Sequence, residues 1–248
     1  MIKISFVIPA YNEEKYVGAC IESIVRELDR ERLVPGTDAE IIVVNNASTD
    51  GTHAVAQSYA NVRVIDENRK GVVRARQAGF EASHGDLVAF IDADATLTRG
   101  WLGVVLGQFE HSPRLSALGG YYQYVGMSPI MMPLVWLYYG VVYATYLITR
   151  ALHVGSTLFG GNFVVRRSAL EKVGGFNTSI EFYGDDTDAA KSLSKVGIVR
   201  FSFRFSVTQS PRRFKGQGLL KTTFLYVINY VWVMVLGRPF TKEYKDVR

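Results

Sequence analysis

This 248-residue chain has almost no cysteine. Cys20 stands alone, so no internal disulfide can staple the fold. Histidine is equally scarce, and His53, His84, His111 and His153 are too scattered to make a zinc set. No Lys/Arg-rich run with interleaved aromatics occurs, which argues against nucleic acid as a partner. Internal repeats and low-complexity segments are missing. The opening run Ile2 to Ala10 has no charged leader and no small-residue cleavage site, so no secretory signal is expected. No glycine-rich turn follows that run, which weakens a dinucleotide-binding reading. Charge itself disappears between Ser116 and Thr149, where there is no Asp, Glu, Lys or Arg.

What is present points to a packed core. Hydrophobic residues make up 48% and charged residues 21%, which excludes disorder and predicts one sizeable domain or two small ones. A formal charge of +5 favours an anionic partner such as nucleotide phosphates or an acidic membrane face. Apolar runs at Lys3 to Pro9, Glu40 to Val44, Val62 to Ile65 and Leu87 to Ile91 read as strands. Between them, Glu13 to Leu28 and Gly71 to Ser83 have helical spacing, and Ser48 to Thr52 supplies turn and cap chemistry for a short helix through Tyr59. Cys20 falls on the apolar face of the first helix and is expected to be an inert core residue. The alternation predicts an α/β fold whose mostly parallel sheet is flanked by helices.

The second half is different. A helix is expected from Pro129 and Pro133 to about Leu152, then sheet from Leu158 to Val165. A short helix over Arg167 to Val173 ends at Gly174-Gly175, and another spans Asp186 to Val196. Phe201, Phe203 and Phe205 alternate along Ile198 to Val207, which predicts a strand with all three on one face. Leu219 to Leu236 is a second apolar aromatic helix, followed by Arg238, Lys242, Lys245 and Arg248.

Ligands on parallel sheets bind at the carboxyl ends of the strands. Pro9-Ala10-Tyr11, Asn45-Asn46 and Asp92-Ala93-Asp94 fall at such ends and are grouped as one site. Two carboxylates one residue apart, where a buried strand runs out, suit a hard cation that keeps positions open for phosphate oxygens. All-oxygen ligation favours Mg²⁺ or Mn²⁺ over zinc. Arg69, Lys70, Arg74 and Arg76 cluster just before the metal strand, with Arg69 and Arg76 expected two turns apart on one helix face. At least one guanidinium is expected to point at phosphate.

These residues, taken in order from about Ile4 to Arg213, resemble the family 2 glycosyltransferases. The likeness rests on Pro9 to Glu14, Val43 to Thr52, the Asp92/Asp94 pair, Gly160-Gly161-Asn162, Gly174-Gly175-Phe176 and Gly184-Asp185-Asp186-Thr187-Asp188. It implies a GT-A fold, a UDP- or GDP-sugar donor, a divalent metal and inversion at the anomeric carbon. Tyr11 would stack on the base, and Glu13 would face the ribose or open the first helix. Asn45 stands where relatives often carry an aspartate, and as a neutral acceptor it holds more weakly. Asp94 would contact the metal directly, with Asp92 shared between metal and ribose. Asp186 would be the base that deprotonates the acceptor, with Asp185 and Asp188 as rivals. Asp186 would instead orient an acceptor that is a lipid phosphate, already ionised. Arg212 or Arg213 would close over the diphosphate, although Arg213 replaces the tryptophan of processive relatives. Asp50 reads better as a helix cap.

The resemblance divides the chain into a transferase domain over residues 1–215, with a nucleotide-sugar half (1–118) and an acceptor half (119–215), and a C-terminal apolar helix with a basic tail (216–248). The Pro129 to Leu152 helix lies between acidic motifs that must meet, so it cannot cross a membrane once and is expected to be buried, re-entrant or interfacial. Leu219 to Leu236 is free of that constraint. Peripheral or C-terminal attachment to the cytoplasmic face of a membrane is expected, with a lipid-linked or glycan acceptor. The competing functions are a sugar nucleotidyltransferase, which would want a glycine-rich loop where Tyr11-Asn12-Glu13 stands, and a catalytically inactive membrane-associated relative.

Overall fold

A computed structural model describes residues 3–151, 158–180 and 182–241. Four short apolar strands build one end of the sheet: β1 (Ile4–Ala10), β2 (Ala39–Asn45), β3 (Val62–Asp66) and β4 (Leu87–Ile91). They are joined by helices α1 (Val17–Arg30), α2 (Thr52–Gln57) and α3 (Val72–Ala82). All three pairings among these strands are parallel, as crossover helices require. Register places Ala10 beside Asn45 and Asn45 beside Asp66, so the strand ends form one polar edge.

The chain then adds β5 (Ala95–Leu97), α4 (Trp101–Glu110), β6 (Leu115–Tyr124), α5 (Met132–Ala151), β7 (Asn162–Arg166), α6 (Arg167–Lys172), α7 (Asp185–Ser194), β8 (Ile198–Gln209), α8 (Arg212–Gln217) and α9 (Leu219–Leu236). One eight-stranded sheet results, in the order β3-β2-β1-β4-β7-β6-β8-β5. The antiparallel pairing of β4 with β7 joins the two halves of the chain, so they share a sheet and its cores.

Core packing explains the element choices. Val17, Cys20, Ile21, Ile24 and Leu28 are buried on one face of α1 against the sheet. Cys20 is fully buried, and burial holds its thiol far above the ordinary value, which fits an inert core residue. On the other face of the sheet Phe90 stacks on Phe163 and meets Phe176 edge-on, both at about 5 Å between ring centroids. A third cluster of Val135, Tyr139, Tyr146, Phe159 and Phe201 seats α5 on the sheet.

Several expectations shift. The first helix begins at Val17 rather than Glu13, because Glu13 to Tyr16 form a turn whose carbonyl at Glu13 accepts from Tyr16 and Val17. Sheet returns at Asn162 rather than Leu158. The phenylalanine alternation breaks: Phe201 and Phe203 pack towards α5, whereas Phe205 meets Trp101. A register shift between Gly119 and Tyr121, opposite Phe201 to Ser206, turns the strand over. The sequence analysis also passed over β5, α4, β6 and α8. The expected helix end at Leu152, His153 and the basic positions Lys242, Lys245 and Arg248 lie outside the described residues.

Candidate active site

The polar edge of the sheet opens into a cavity of about 740 Å³ lined by Pro9, Glu13, Arg76, Asp92, Ala93, Asp94, Asp185, Asp186, Gln209 and Arg212, with apolar residues beyond. Carboxylates from β4 and from α7 therefore share one pocket. Arg76, on α3, is what holds them together. It is 3% exposed, its Nη2 lies 3.5 Å from Asp92 Oδ1, and its Nη1 is paired with Asp185. Two glycines make room for this arrangement: a Cβ at Gly161 would sit 2.1 Å from Asp92 Oδ2, and one at Gly160 would sit 2.8 Å from Arg76 Nη2.

Asp92 and Asp94 converge. Gln209 Nε2, at the end of β8, donates to Asp92 Oδ2 at 3.3 Å and to Asp94 Oδ1 at 3.1 Å. Arg212 Nε lies 3.0 Å from Asp94 Oδ2, and Arg212 also pairs with Glu13. Two carboxylates that converge on one amide fit a divalent ion that takes its remaining ligands from water and phosphate. Among the described residues no group of three or more His, Cys, Asp or Glu forms a protein-only cage. That donor set suits Mg²⁺ or Mn²⁺.

Asp185 and Asp186 open α7 after Gly184, whose φ of +83° turns the chain sharply into the helix. Burial, and then the charge of Asp185, push the Asp186 carboxyl up to about 7, against which Arg76 pulls down. Asp185 is raised by burial too, but Arg76 opposes the shift directly. The two neighbours are thus differentiated: Asp185 is committed to an ion pair, while Asp186, among the described residues, accepts from the N–H and hydroxyl of its neighbour Thr187, at 2.7 and 3.3 Å. Asp188 is half-buried and does not line the cavity.

Of the donor-side residues expected from the sequence, Pro9, Glu13, Arg76, Asp92 and Ala93 line the cavity, whereas Ala10, Tyr11, Asn45, Asn46 and Arg69 lie outside its lining. Lys70 Nζ lies 3.8 Å from the centroid of the Tyr11 ring, just beyond β1. Asn45 Nδ2 donates to Asp66 Oδ1 at 2.7 Å, so a carboxylate absent from the end of β2 is supplied by the end of β3. Asn46 is buried, and its amide bonds the Glu67 and Arg69 carbonyls and the Gly71 N–H, which shapes the loop into α3. Ala10 is buried at the end of β1. The shared helix face expected for Arg69 and Arg76 is not formed, because α3 starts only at Val72. Arg69 instead pairs with Glu67 through two nitrogens, at 3.0 and 2.9 Å. Arg76 points at carboxylates instead of outward. Asp50 caps α2 through the Thr52 N–H, at 3.0 Å.

Tyr122 and Gln209 also line the cavity, and the sequence pattern gives neither a role there. Tyr122 lies in the uncharged segment, and its hydroxyl accepts from the Gly161 N–H at 2.7 Å. Gln209 heads the Gln209-Ser210-Pro211-Arg212-Arg213 segment at the end of the last strand, in which the sequence pattern gives only the arginines a task.

A family model described as glycosyl transferase family 2 matches residues 5–174. Glycosyltransferase AglE of Haloferax volcanii is 32% identical over 104 residues, covering 40% of this chain and 33% of AglE. Probable glycosyltransferase YdaM of Bacillus subtilis is 24% identical over 265 residues, covering 99% of this chain and 60% of YdaM. The chain therefore spans a third of the first relative's length and less than two thirds of the second's. Among solved structures, the mannosyltransferase PcManGT from Pyrobaculum calidifontis, in complex with GDP-Man and Mn²⁺, superposes with a TM-score of 0.65 at 19% identity, covering 91% of this chain and 64% of that one. Glucosyl-3-phosphoglycerate synthase from Mycobacterium tuberculosis, with Mn²⁺ and UDP-glucose, gives a TM-score of 0.62 at 21% identity, with 97% and 81% covered. At these identities the likeness carries the GT-A fold.

Proposed function

Because the chain belongs to glycosyl transferase family 2, we propose that it moves a sugar from a UDP- or GDP-sugar to a lipid-linked or membrane-proximal acceptor, with inversion and with a divalent metal. The observation that carries this reading is the common cavity of Asp92, Asp94, Asp185 and Asp186, bridged by Arg76.

Each residue has a chemical task. Tyr11 offers a ring face to the base, Asn45 and Asp66 offer acceptors beside it, and Glu13 lies towards the ribose. Asp94 and Asp92 would hold Mg²⁺ or Mn²⁺, which supplies charge neutralisation for the donor diphosphate. Arg212 stands next to Asp94 and is placed to add a guanidinium to the departing diphosphate. Asp186 takes the proton from the acceptor hydroxyl while that oxygen forms its bond to the anomeric carbon. The bond from that carbon to the diphosphate oxygen breaks, and the electron pair leaves with the nucleotide. A base near neutral pKa is matched to this step, worth roughly 10²–10⁴ in rate. Arg76 acts through the carboxylates, keeping Asp185 charged and Asp92 in place.

Attachment to a membrane, on its cytoplasmic face in this proposal, draws on the apolar residues left exposed on and beside α5 and α9, such as Ile130, Trp136 and Val235. The segment Pro129–Ala151 is long and apolar enough to cross a bilayer. The acidic motifs before and after it meet in one cavity, so the helix lies along the surface in this reading. α9 packs against α7, with Val233 buried and Lys191 Nζ 2.9 Å from the Met234 carbonyl.

A donor-hydrolysis assay over UDP- and GDP-sugars with Mn²⁺ tests the activity. Metal-dependent release of nucleoside diphosphate from at least one donor is expected. Release from none of them, together with no donor binding by calorimetry, would leave the inactive-relative reading standing. Flotation with anionic liposomes tests the attachment, and protein that stays in the aqueous fraction ends it.

A further inference from the structure

The cavity does not stop at the carboxylates. It runs on between α5 and α9 as a furrow, with Leu134, Leu137 and Val141 on one wall and Phe224, Val227 and Val231 on the other. These six side chains are 46–65% exposed, an apolar surface that water alone covers poorly. The furrow is continuous with the acceptor side of the site, since Tyr138 of α5 and Tyr183, just before α7, line the same space as Asp186.

Charge at the mouth selects the headgroup. Among the described residues that line the cavity, five carboxylates (Glu13, Asp92, Asp94, Asp185, Asp186) face two guanidiniums, Arg76 and Arg212. Each guanidinium is already paired with two of those carboxylates. On the Asp186 side the guanidinium is Arg76, shared between Asp92 and Asp185, so an acceptor phosphate there would meet like charge and no spare arginine, whereas a hydroxyl would meet a base. We propose that the acceptor is an amphiphile whose uncharged, hydroxyl-bearing head reacts at Asp186 and whose single long apolar chain lies in the α5/α9 furrow. This rests on the transferase reading above and adds the class of acceptor: a lipid alcohol or neutral glycolipid, not a lipid phosphate.

The test uses n-dodecyl maltoside below its micelle concentration, with maltose and dodecyl phosphate for comparison. Binding to the intact chain is followed by calorimetry, alongside nucleotide release from whichever donor the hydrolysis assay identifies. Dodecyl maltoside is expected to bind at least about tenfold more tightly than maltose, because chain burial removes apolar surface from water, and more tightly than dodecyl phosphate. Leu137→Asp and Val227→Asp, checked for folding by circular dichroism, are expected to erase the chain-length preference. Ile148→Asp, exposed on α5 but off the furrow, keeps it. Equal binding of maltose and dodecyl maltoside overturns the furrow assignment, and preference for dodecyl phosphate overturns the headgroup. A dimer in solution that buries α5 and α9, seen by cross-linking between copies, overturns both. Absence of nucleotide release would count against the transferase reading alone, because the binding arm judges the furrow without it.

Discussion

The two ends of the sheet solve different problems. Around β1 to β4 the core is mostly aliphatic with Phe6 and Phe90 set into it, the strands are parallel, and the candidate functional groups sit at strand ends fixed by register: Ala10 beside Asn45, and Asn45 beside Asp66. Around β6, β8, α5 and α9 the packing is aromatic, and Tyr121, Tyr139, Phe159, Phe201 and Phe203 meet ring to ring while neighbouring apolar residues stay in solvent. The first region fixes its polar groups by strand register and by side-chain hydrogen bonds such as those of Asn46 to the Glu67 and Arg69 carbonyls. The second leaves apolar surface that the fold itself does not use. Donor recognition needs fixed donors and acceptors, whereas an apolar partner needs only shape and exposed carbon.

That contrast can be broken in order of effect. Asp94→Ala is expected to abolish metal-dependent donor binding, read by calorimetry with and without Mn²⁺. Asp186→Asn should keep donor binding and lose roughly 10²–10⁴ in transfer rate; transfer at the parental rate would remove Asp186 from its role. For stability, Phe90→Ala in the donor-side core should cost about 3–5 kcal/mol, whereas Ile148→Gln on the exposed side of α5 should stay within about 0.5 kcal/mol in urea unfolding. Equal costs would mean that α5 is packed as a core helix. Arg76→Gln should cost about 3–5 kcal/mol, because it leaves buried carboxylates without their counter-ion.

The smallest effect is in pH dependence. With Asp186 near 7, the transfer rate should rise with pH through about 7 and level off above it. Asp185→Asn removes the neighbouring negative charge and should move that limb to lower pH. The same shift makes a stability statement. The folded state holds the Asp186 proton between the ordinary aspartate value near 3.8 and about 7, so this group's contribution becomes less favourable as pH rises through that window. Asp186→Asn should therefore raise the melting temperature at pH 8 relative to the parent, with the gain fading towards pH 4. A pH-independent difference would show that the carboxyl is not proton-loaded in the fold.

Much of the donor side was legible in the sequence because local patterns decide it. β1 to β4 are short apolar runs with turn residues after them, and α1 shows its buried face at helical spacing. α4 was not legible, because its N-terminus is capped from a distance: the buried Glu27 carboxylate accepts from the Gly100 and Leu102 N–H groups at 3.0 and 3.2 Å. β6 was hidden because its residues are buried over Leu115 to Gly120 without alternation, inside a stretch that reads as one uncharged block. The misplacement of Phe205 has a similar origin, since a bulge that resets side-chain direction is a property of two paired strands.

The sequence by itself determined the α/β architecture, the family and the candidate carboxylates, since strand ends and paired aspartates are local features of the chain. Only the tertiary structure decided how those carboxylates divide their tasks. Arg76 sits between Asp92 and Asp185 because α3, β4 and α7 meet there, and that contact leaves Asp186 outside the ion pair. No spacing along the chain encodes it, because charge interactions depend on distance through space.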